Sequence, residues 1–240
     1  MLLFFGGKLL PRLGGFLGGA SRKPFRQAQW MWSWATGSED DALLAEREYG
    51  RECAREFAAQ FPGRAAGTHQ ELVAAVGARL AAGVGDPRRE FRFAVAAAAE
   101  ANAFALPGGF VFVTAPLIDL CHGDRDEMAF FLGHEMGHVL AGHAREQLTA
   151  GAFLNAITAR LPGAGGMLHQ ALNKGYSRQL ELEADREAVR LCGLTGFDRD
   201  AGIRAMQRLA QVSPEPGGLA KYFASHPPFA ERIRELEKIA

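Results

Sequence analysis

The sequence has few cysteines and no excess of charge of either sign. Its three cysteines, Cys53, Cys121 and Cys192, are widely spaced, which excludes a zinc ribbon and a disulfide framework. The formal net charge is zero, with 27 basic and 27 acidic residues, so we expect no nucleic-acid partner. An apolar content of 48% and a charged content of 22% describe a globular protein of 240 residues with one sizeable core.

The sequence also lacks a long apolar run, since a helix that spans a bilayer requires about 18–20 apolar residues. Residues 101–118 hold no charge for 18 residues, but Pro107-Gly108-Gly109 and Pro116 inside them favour a strand–turn–strand arrangement. Basic residues interrupt the apolar start of the chain, so no signal peptide is expected. We therefore expect a soluble or peripheral membrane-associated protein, and the sequence does not indicate its compartment.

Residues 1–37 differ in character from the remainder. They carry five basic residues and no acidic one, and all three tryptophans lie there, at positions 30, 32 and 34. Basic residues beside aromatic ones suit the headgroup layer of an anionic membrane. The alternative is an arm whose aromatic side chains pack on the protein itself. We take residues 1–37 as an N-terminal arm and residues 38–240 as one domain.

Hydrophobic periodicity predicts an α+β fold that is predominantly helical. A strand is expected over residues 91–95, and residues 102–105 and 110–114 flank a turn, which predicts a hairpin. Residues 147–173 hold one charge and a glycine-rich break, which suits a mobile flap, a membrane contact or a buried helical hairpin. Helices are predicted over 38–60, from Thr68 to Gly83, over 126–145, from Tyr176 to about Cys192, from Asp198 to about Gln211, and around Phe229, Ile233 and Leu236.

The most informative stretch is the helix predicted over residues 126–145, which contains His134-Glu135-Met136-Gly137-His138. Asp124 and Glu127 resemble a capping box at its start. Positions i and i+4 share one helix face, so both histidines can bind one metal ion. Glu135 projects beside that ion, where it can take a proton from a metal-bound water. The pattern predicts a zinc site; the alternative is a core helix that carries histidines.

The helix predicted from Tyr176 is the natural source of a third ligand. Glu181 and Asp185 lie four residues apart, so both carboxylates face one way. Glu181 could bind the metal while Asp185 accepts the free N–H of a ligand histidine, with Glu183 as a competing ligand. His226 lies before a Pro-Pro turn and could donate to a developing oxyanion, although a lone histidine is more often a surface residue.

Together these motifs resemble the zinc metallopeptidase family that contains the CAAX prenyl protease and the bacterial HtpX, BepA and LoiP proteins. The resemblance rests on residues 102–109, 134–138, 177–185 and 225–232, in that order. It implies a zincin-type domain with a small β-sheet and one zinc per chain. The residues it assigns are His134, His138 and Glu181 as zinc ligands, Glu135 as general base, and Asp185 and Arg178 behind the ligands. His226 would help at the catalytic water or oxyanion, or close on the metal as an inhibitory fourth ligand.

The resemblance implies a zinc metalloendopeptidase that hydrolyses misfolded or membrane-associated proteins, as in protein quality control. A substrate strand could pair with a hairpin edge, for which Asn102, Phe104, Gly108 and Phe110 are the candidates. The rival hypothesis is a latched, zinc-containing chaperone or adaptor at a membrane surface, with little proteolysis. A metal-free structural protein is a third reading, which the intact ligand set disfavours. The sequence does not indicate the oligomeric state.

Overall fold

The computed structural model describes residues 37–60, 67–99, 101–146, 176–211 and 229–239. The architecture is predominantly helical with one small sheet, which confirms the predicted class. Within the described residues, no helix is both long and apolar enough to cross a membrane. The helices are α1 Glu39–Gln60, α2 Gly67–Ala82, α3 Ala115–Leu120, α4 Arg125–Leu140, α5 Arg178–Thr195, α6 Ala201–Gln211 and α7 Phe229–Leu236, and the strands are β1 Arg92–Ala96, β2 Ala103–Leu106 and β3 Phe110–Thr114.

The three strands form a sheet in the order β1-β3-β2. Strand β1 is parallel to β3, and β2 is antiparallel to β3. The expected hairpin is confirmed, and its turn contains Gly108 and Gly109, whose φ angles of 73° and 83° favour glycine. Strand β3, which begins at Phe110, pairs with β2 on one side and with β1 on the other, so it is the central strand. The prediction that its edge could receive a substrate strand is therefore wrong.

Helix α4 lies at the centre of the described fold. Its residues 127–139 are all buried, and α2, α5, α6 and β2 pack around it. The Asp124 side chain caps its start by accepting the backbone N–H groups of Asp126 and Glu127. The reciprocal half of the capping box does not form, because Asp124 donates its own N–H to the Cys121 carbonyl. This burial places the two histidines of α4 in the interior.

Helix α5 approaches α4 closely because small residues face each other. A Cβ atom on Gly133 would lie 3.2 Å from the Cα of Ala188, and one on Gly137 would lie 3.0 Å from the Cα of Ala184. Two glycines one turn apart thus meet two alanines one turn apart. This contact brings α5, and with it Glu181, to the histidine-bearing face of α4.

Gly137→Val is expected to lower the free energy of unfolding by about 2 kcal/mol, because overpacking against a fixed backbone costs about 1–3 kcal/mol. The small helix-propensity gain of valine over glycine does not offset that cost. Gly193→Val on α5 is the matched control, since a Cβ there meets only the flexible Arg199 side chain. Its effect should stay within about 0.5 kcal/mol. Urea denaturation measures both, and equal losses would contradict this account of the helix contact.

Candidate metal centre

The two histidines of α4 converge on one point. The Nε2 atoms of His134 and His138 lie 3.2 Å apart, and the two rings are nearly perpendicular. Glu181 on α5 completes the cluster, with carboxylate oxygens 3.4 Å from Nε2 of His134 and 3.5 Å from Nε2 of His138. All three side chains are buried. The sequence-predicted ligand residues are thus brought together across two helices.

The separations between the two Nε2 atoms and the nearest Glu181 oxygen of each, Oε2 for His134 and Oε1 for His138, suit a tetrahedral zinc ion. Zinc bonds of about 2.0–2.1 Å at tetrahedral angles keep the ligand atoms about 3.3 Å apart. The observed separations of 3.2, 3.4 and 3.5 Å lie close to that value. Two imidazoles and one carboxylate also form a donor set that zinc prefers.

The charge of the buried site also suits a divalent cation. Three carboxylates are buried there, those of Glu135, Glu181 and Asp185, and Arg232 is the one guanidinium buried with them in the described structure. Isolated charges are costly in a protein interior. Burial and Arg232 oppose a proton on His134, but Asp185 and Glu181 outweigh them and raise its pKa to about 9. A bound dication would supply the positive charge that this site favours.

Asp185 holds His134 in a defined orientation. Its Oδ1 lies 2.9 Å from Nδ1 of His134, which places the imidazole N–H toward the carboxylate and frees the Nε2 lone pair for a metal. Burial would raise the pKa of Asp185, but the charge of Arg232 and the hydrogen bonds from His134 and Arg232 lower it to about 2. Asp185 therefore remains an acceptor throughout the neutral range.

Arg232 is the supporting residue to which sequence reasoning gave no role. Its Nε donates to Oδ2 of Asp185 at 2.9 Å and its Nη2 donates to Oδ1 at 2.6 Å. Its Nη1 lies 3.6 Å from Glu181. An arginine on a short amphipathic helix is ordinarily exposed, yet the Arg232 side chain is only 1% exposed. The signal in the sequence was its position in the last matching motif, residues 225–232.

Two residues of α5, Arg178 and Glu183, do not lie where the sequence analysis placed them. Arg178 was expected behind the ligands, but its side chain is 68% exposed and pairs with Glu231 of α7, next to Arg232. Glu183 was the competing ligand, but it is 54% exposed and its carboxylate lies 3.6 Å from Nε2 of His143. Helix phase explains the second difference, since residue 181 faces α4 and residue 183 turns toward solvent.

His143 and Tyr176 also contact the site, and neither was predicted to do so. Nδ1 of His143 lies 3.0 Å from Nδ1 of His138, and burial lowers the pKa of His143. The Tyr176 ring stacks on His138, with centroids 3.8 Å apart and planes 16° apart. Burial and the nearby charges of Glu135 and Glu181 raise the pKa of Tyr176 well above its ordinary value, which keeps its phenol protonated.

The substrate-strand candidates are used within the fold. The backbone carbonyl of Asn102 accepts from Thr114, and the N–H of Gly108 donates to Glu46 at 3.0 Å. Phe104 pairs with Phe112 on β3. Since residues alternate along a strand, the backbone groups of residues 103 and 105 point away from β3. Residue 226 and the segment 147–173 lie outside the described residues, so their predicted roles stay predictions.

A buried cluster of two histidines and a glutamate, with a further glutamate beside the first histidine on one helix, defines a metallopeptidase type of centre. Residues 68–240 match peptidase family M48. The chain therefore belongs to peptidase family M48. The resemblance drawn from the sequence motifs is thereby confirmed.

The chain is also similar to several named metallopeptidases. The chain is similar to the mitochondrial metalloendopeptidase OMA1 of Schizosaccharomyces pombe: it is 33% identical over an alignment of 148 residues, which covers 57% of this chain and 43% of that protein. It is 28% identical to the metalloprotease LoiP of Escherichia coli over 151 residues, 58% of each chain. It is 29% identical to the metalloprotease YcaL of the same organism over 149 residues, 57% of each chain. The chain thus spans about half the length of these relatives.

Proposed function

We propose that this protein is a zinc-dependent endopeptidase that holds one zinc ion per chain. The observation that carries this proposal is the convergence of His134, His138 and Glu181 at separations of 3.2–3.5 Å. Membership in a metallopeptidase family and the names of the relatives support it.

The buried side chains have complementary roles in the proposed reaction. Zinc, when bound, supplies a Lewis acid that polarises the scissile carbonyl and lowers the pKa of water at neutral pH. Glu135 takes a proton from the attacking water and passes it to the leaving amine. His134 and His138 present their Nε2 atoms, and Asp185 accepts the Nδ1–H of His134. The buried position of the site limits competing bulk water.

The proposed substrate is an extended peptide that adds a strand to β2, which is an edge strand among the described residues. Strand β2 packs against α4, so a peptide along its outer edge would run past the metal helix. The backbone groups that point away from β3 are those of Ala103 and Ala105, beside the predicted residue Phe104. Both residues are buried, and the N–H of Ala103 donates to Oδ1 of Asn102 at 3.0 Å, so an incoming strand would have to displace that side chain. Pairing of this kind reads the backbone more than the side chains. It suits unfolded or misfolded proteins as substrates.

Membrane association and quality control belong to the same proposal. The basic, tryptophan-rich residues 1–37 suit an anionic surface, and the OMA1 relatives are named as mitochondrial proteins. Residues 38–240 would then act as the protease domain beside that surface. Flotation with anionic liposomes tests this part: equal binding by the full chain and by residues 38–240 would remove the role of the arm.

The proposed activity is tested by cleavage of an unfolded protein such as casein. The full chain should cleave it, lose activity when a chelator removes the metal, and regain activity with added zinc. A Glu135→Gln preparation, purified identically, controls for a co-purified protease. Cleavage that survives metal removal, or that persists in the control, would overturn the proposal.

The rival hypothesis of a latched adaptor depends on His226 as a fourth zinc ligand. The same assay on His226→Ala separates the two roles of this residue. A rise in cleavage rate would identify a latch, and a fall would identify a helper at the catalytic water. Zinc binding without cleavage in any variant would favour the adaptor.

A further inference from the structure

The two ligand histidines are supported in different ways. Asp185, locked by two hydrogen bonds from Arg232, holds His134. Nδ1 of His138 instead faces another imidazole, that of His143, at 3.0 Å. We propose that His143 is the positioning residue for the zinc ligand His138, and that Glu183 holds His143 in the tautomer that this role requires.

The chain brings His143 to this place by a turn at the end of α4. The helix ends at Leu140, and Gly142 adopts a φ of 80°, a left-handed conformation that favours glycine. A new helical turn then begins at His143, and Glu146 donates its N–H to the carbonyl of Gly142. The imidazole of His143 is thereby buried against the side of His138 that carries Nδ1.

The proton positions follow from the chemistry of neutral imidazole, which carries one N–H. If His138 offers Nε2 to the metal, its N–H is on Nδ1 and must donate. The facing Nδ1 of His143 must then be the bare acceptor, so the N–H of His143 is on Nε2. Glu183 lies 3.6 Å from that Nε2, too far for a direct hydrogen bond, but its negative charge favours the N–H there.

His143 is not placed to be a zinc ligand itself. It contacts Nδ1 of His138, whereas Nε2 of His138 points to His134 and Glu181. The two nitrogens lie on different edges of the ring. The structure therefore places His143 behind the ligand, and it connects the buried centre to a half-exposed carboxylate on α5.

This inference rests on the zinc site of the proposed function, and its test uses zinc affinity instead of proteolysis. His143→Phe keeps a ring but removes the acceptor, whereas His143→Asn places an amide oxygen near the position of Nδ1. Loss of a supporting partner typically weakens metal affinity about 10–100-fold. We expect that loss for His143→Phe and much of the wild-type affinity for His143→Asn. Competition with a chromogenic chelator measures the zinc dissociation constants of the full chain.

The two variants distinguish positioning from packing. If His143 only fills space, the ring of phenylalanine should serve better than the smaller asparagine, and the order of affinities would reverse. That order, or a wild-type affinity in His143→Phe, would overturn the inference. If His143→Phe does not fold, an Asn variant with strongly weakened zinc binding would overturn it as well. Failure of the wild-type protein to bind zinc would instead overturn the proposed function.

Glu183 gives a second, independent readout. Glu183→Ala is expected to weaken zinc binding about twofold to fivefold, the range of a half-exposed charge pair. In a His143→Asn background, Glu183→Ala should leave the zinc affinity unchanged. An amide oxygen always accepts a hydrogen bond, so it does not need Glu183 to select a tautomer. Glu187→Ala, which removes a half-buried carboxylate paired with Arg190, is the matched control. An undiminished Glu183→Ala effect in the Asn background would show a general charge effect and contradict this role.

Discussion

Glu135→Gln is expected to lower the turnover of a peptide substrate by about 10²–10⁴-fold while zinc stays bound, because general base catalysis contributes about that much. The amide has the shape of the carboxylate but cannot accept a proton from water. The ligand residues His134, His138 and Glu181 are unchanged, so the metal site persists. The loss should appear in kcat, since the proposed substrate strand would pair with β2 and not with Glu135.

The control for this experiment is Glu187→Gln on α5, whose side chain is 24% exposed. Its carboxylate pairs with Arg190 and does not belong to the ligand cluster. This variant should keep its zinc content and its turnover. Turnover by Glu135→Gln at the wild-type rate would rule out Glu135 as the general base. Loss of zinc together with activity would show that Glu135 supports the metal site instead.

Arg232→Met is expected to lower the free energy of unfolding of the metal-stripped protein by about 3–5 kcal/mol, because removing one partner of a buried ion pair leaves an uncompensated charge. Asp185 would lose its two hydrogen bonds from the guanidinium, and the buried carboxylates would repel each other more strongly. Methionine fills much of the volume, so the loss reports mainly on charge and hydrogen bonding. Urea denaturation measures it.

Arg234→Met is the matched control, because Arg234 lies two residues further along α7 and is exposed. Its effect should stay within about 0.5 kcal/mol. The double variant Asp185→Asn with Arg232→Met should lose less stability than the sum of the two single variants, since it also removes the carboxylate charge. Equal losses for Arg232→Met and Arg234→Met would contradict the assigned role of the buried pair.

The pH dependence of the free energy of unfolding tests the pair formed by Asp185 and Arg232. The pKa of Asp185 is about 2 in the folded protein, below its ordinary value of 3.8. Its stabilising contribution is therefore present above pH 3.8 and is lost as the pH falls through about 2. In Arg232→Met the buried carboxyl loses the charge that lowers its pKa, so its folded pKa moves back toward or above 3.8, and the acid-dependent loss of stability that Asp185 contributes should be smaller than in the wild-type protein.

The parts of the site that local periodicity determines could be predicted from sequence. His134 and His138 follow from the spacing of an α-helix, and the same spacing relates Glu181 to Asp185. The hairpin follows from the glycines of its turn, which allow left-handed backbone angles. In each case the relevant interaction joins residues within one element or across one short turn.

The parts that depend on long-range packing could not be predicted in this way. Arg232 reaches Asp185 from 47 residues away, and no periodicity in α7 marks one of its arginines as buried. Strand β3 became central because β1, more than a dozen residues earlier, pairs with its outer side. His143 contacts His138 only because Gly142 ends α4 and turns the chain back. The helix was predicted to extend to residue 145, but α4 ends at Leu140, where this turn begins.

The zinc content of the purified protein tests the central claim most directly. We predict one zinc per chain in the wild-type protein and in Glu135→Gln, and a large loss in Glu181→Gln, whose amide oxygen is a poor zinc ligand. All three proteins should be purified identically and compared by elemental analysis. A wild-type protein without zinc, or a Glu181→Gln variant that retains its full zinc content, would contradict a centre formed by His134, His138 and Glu181.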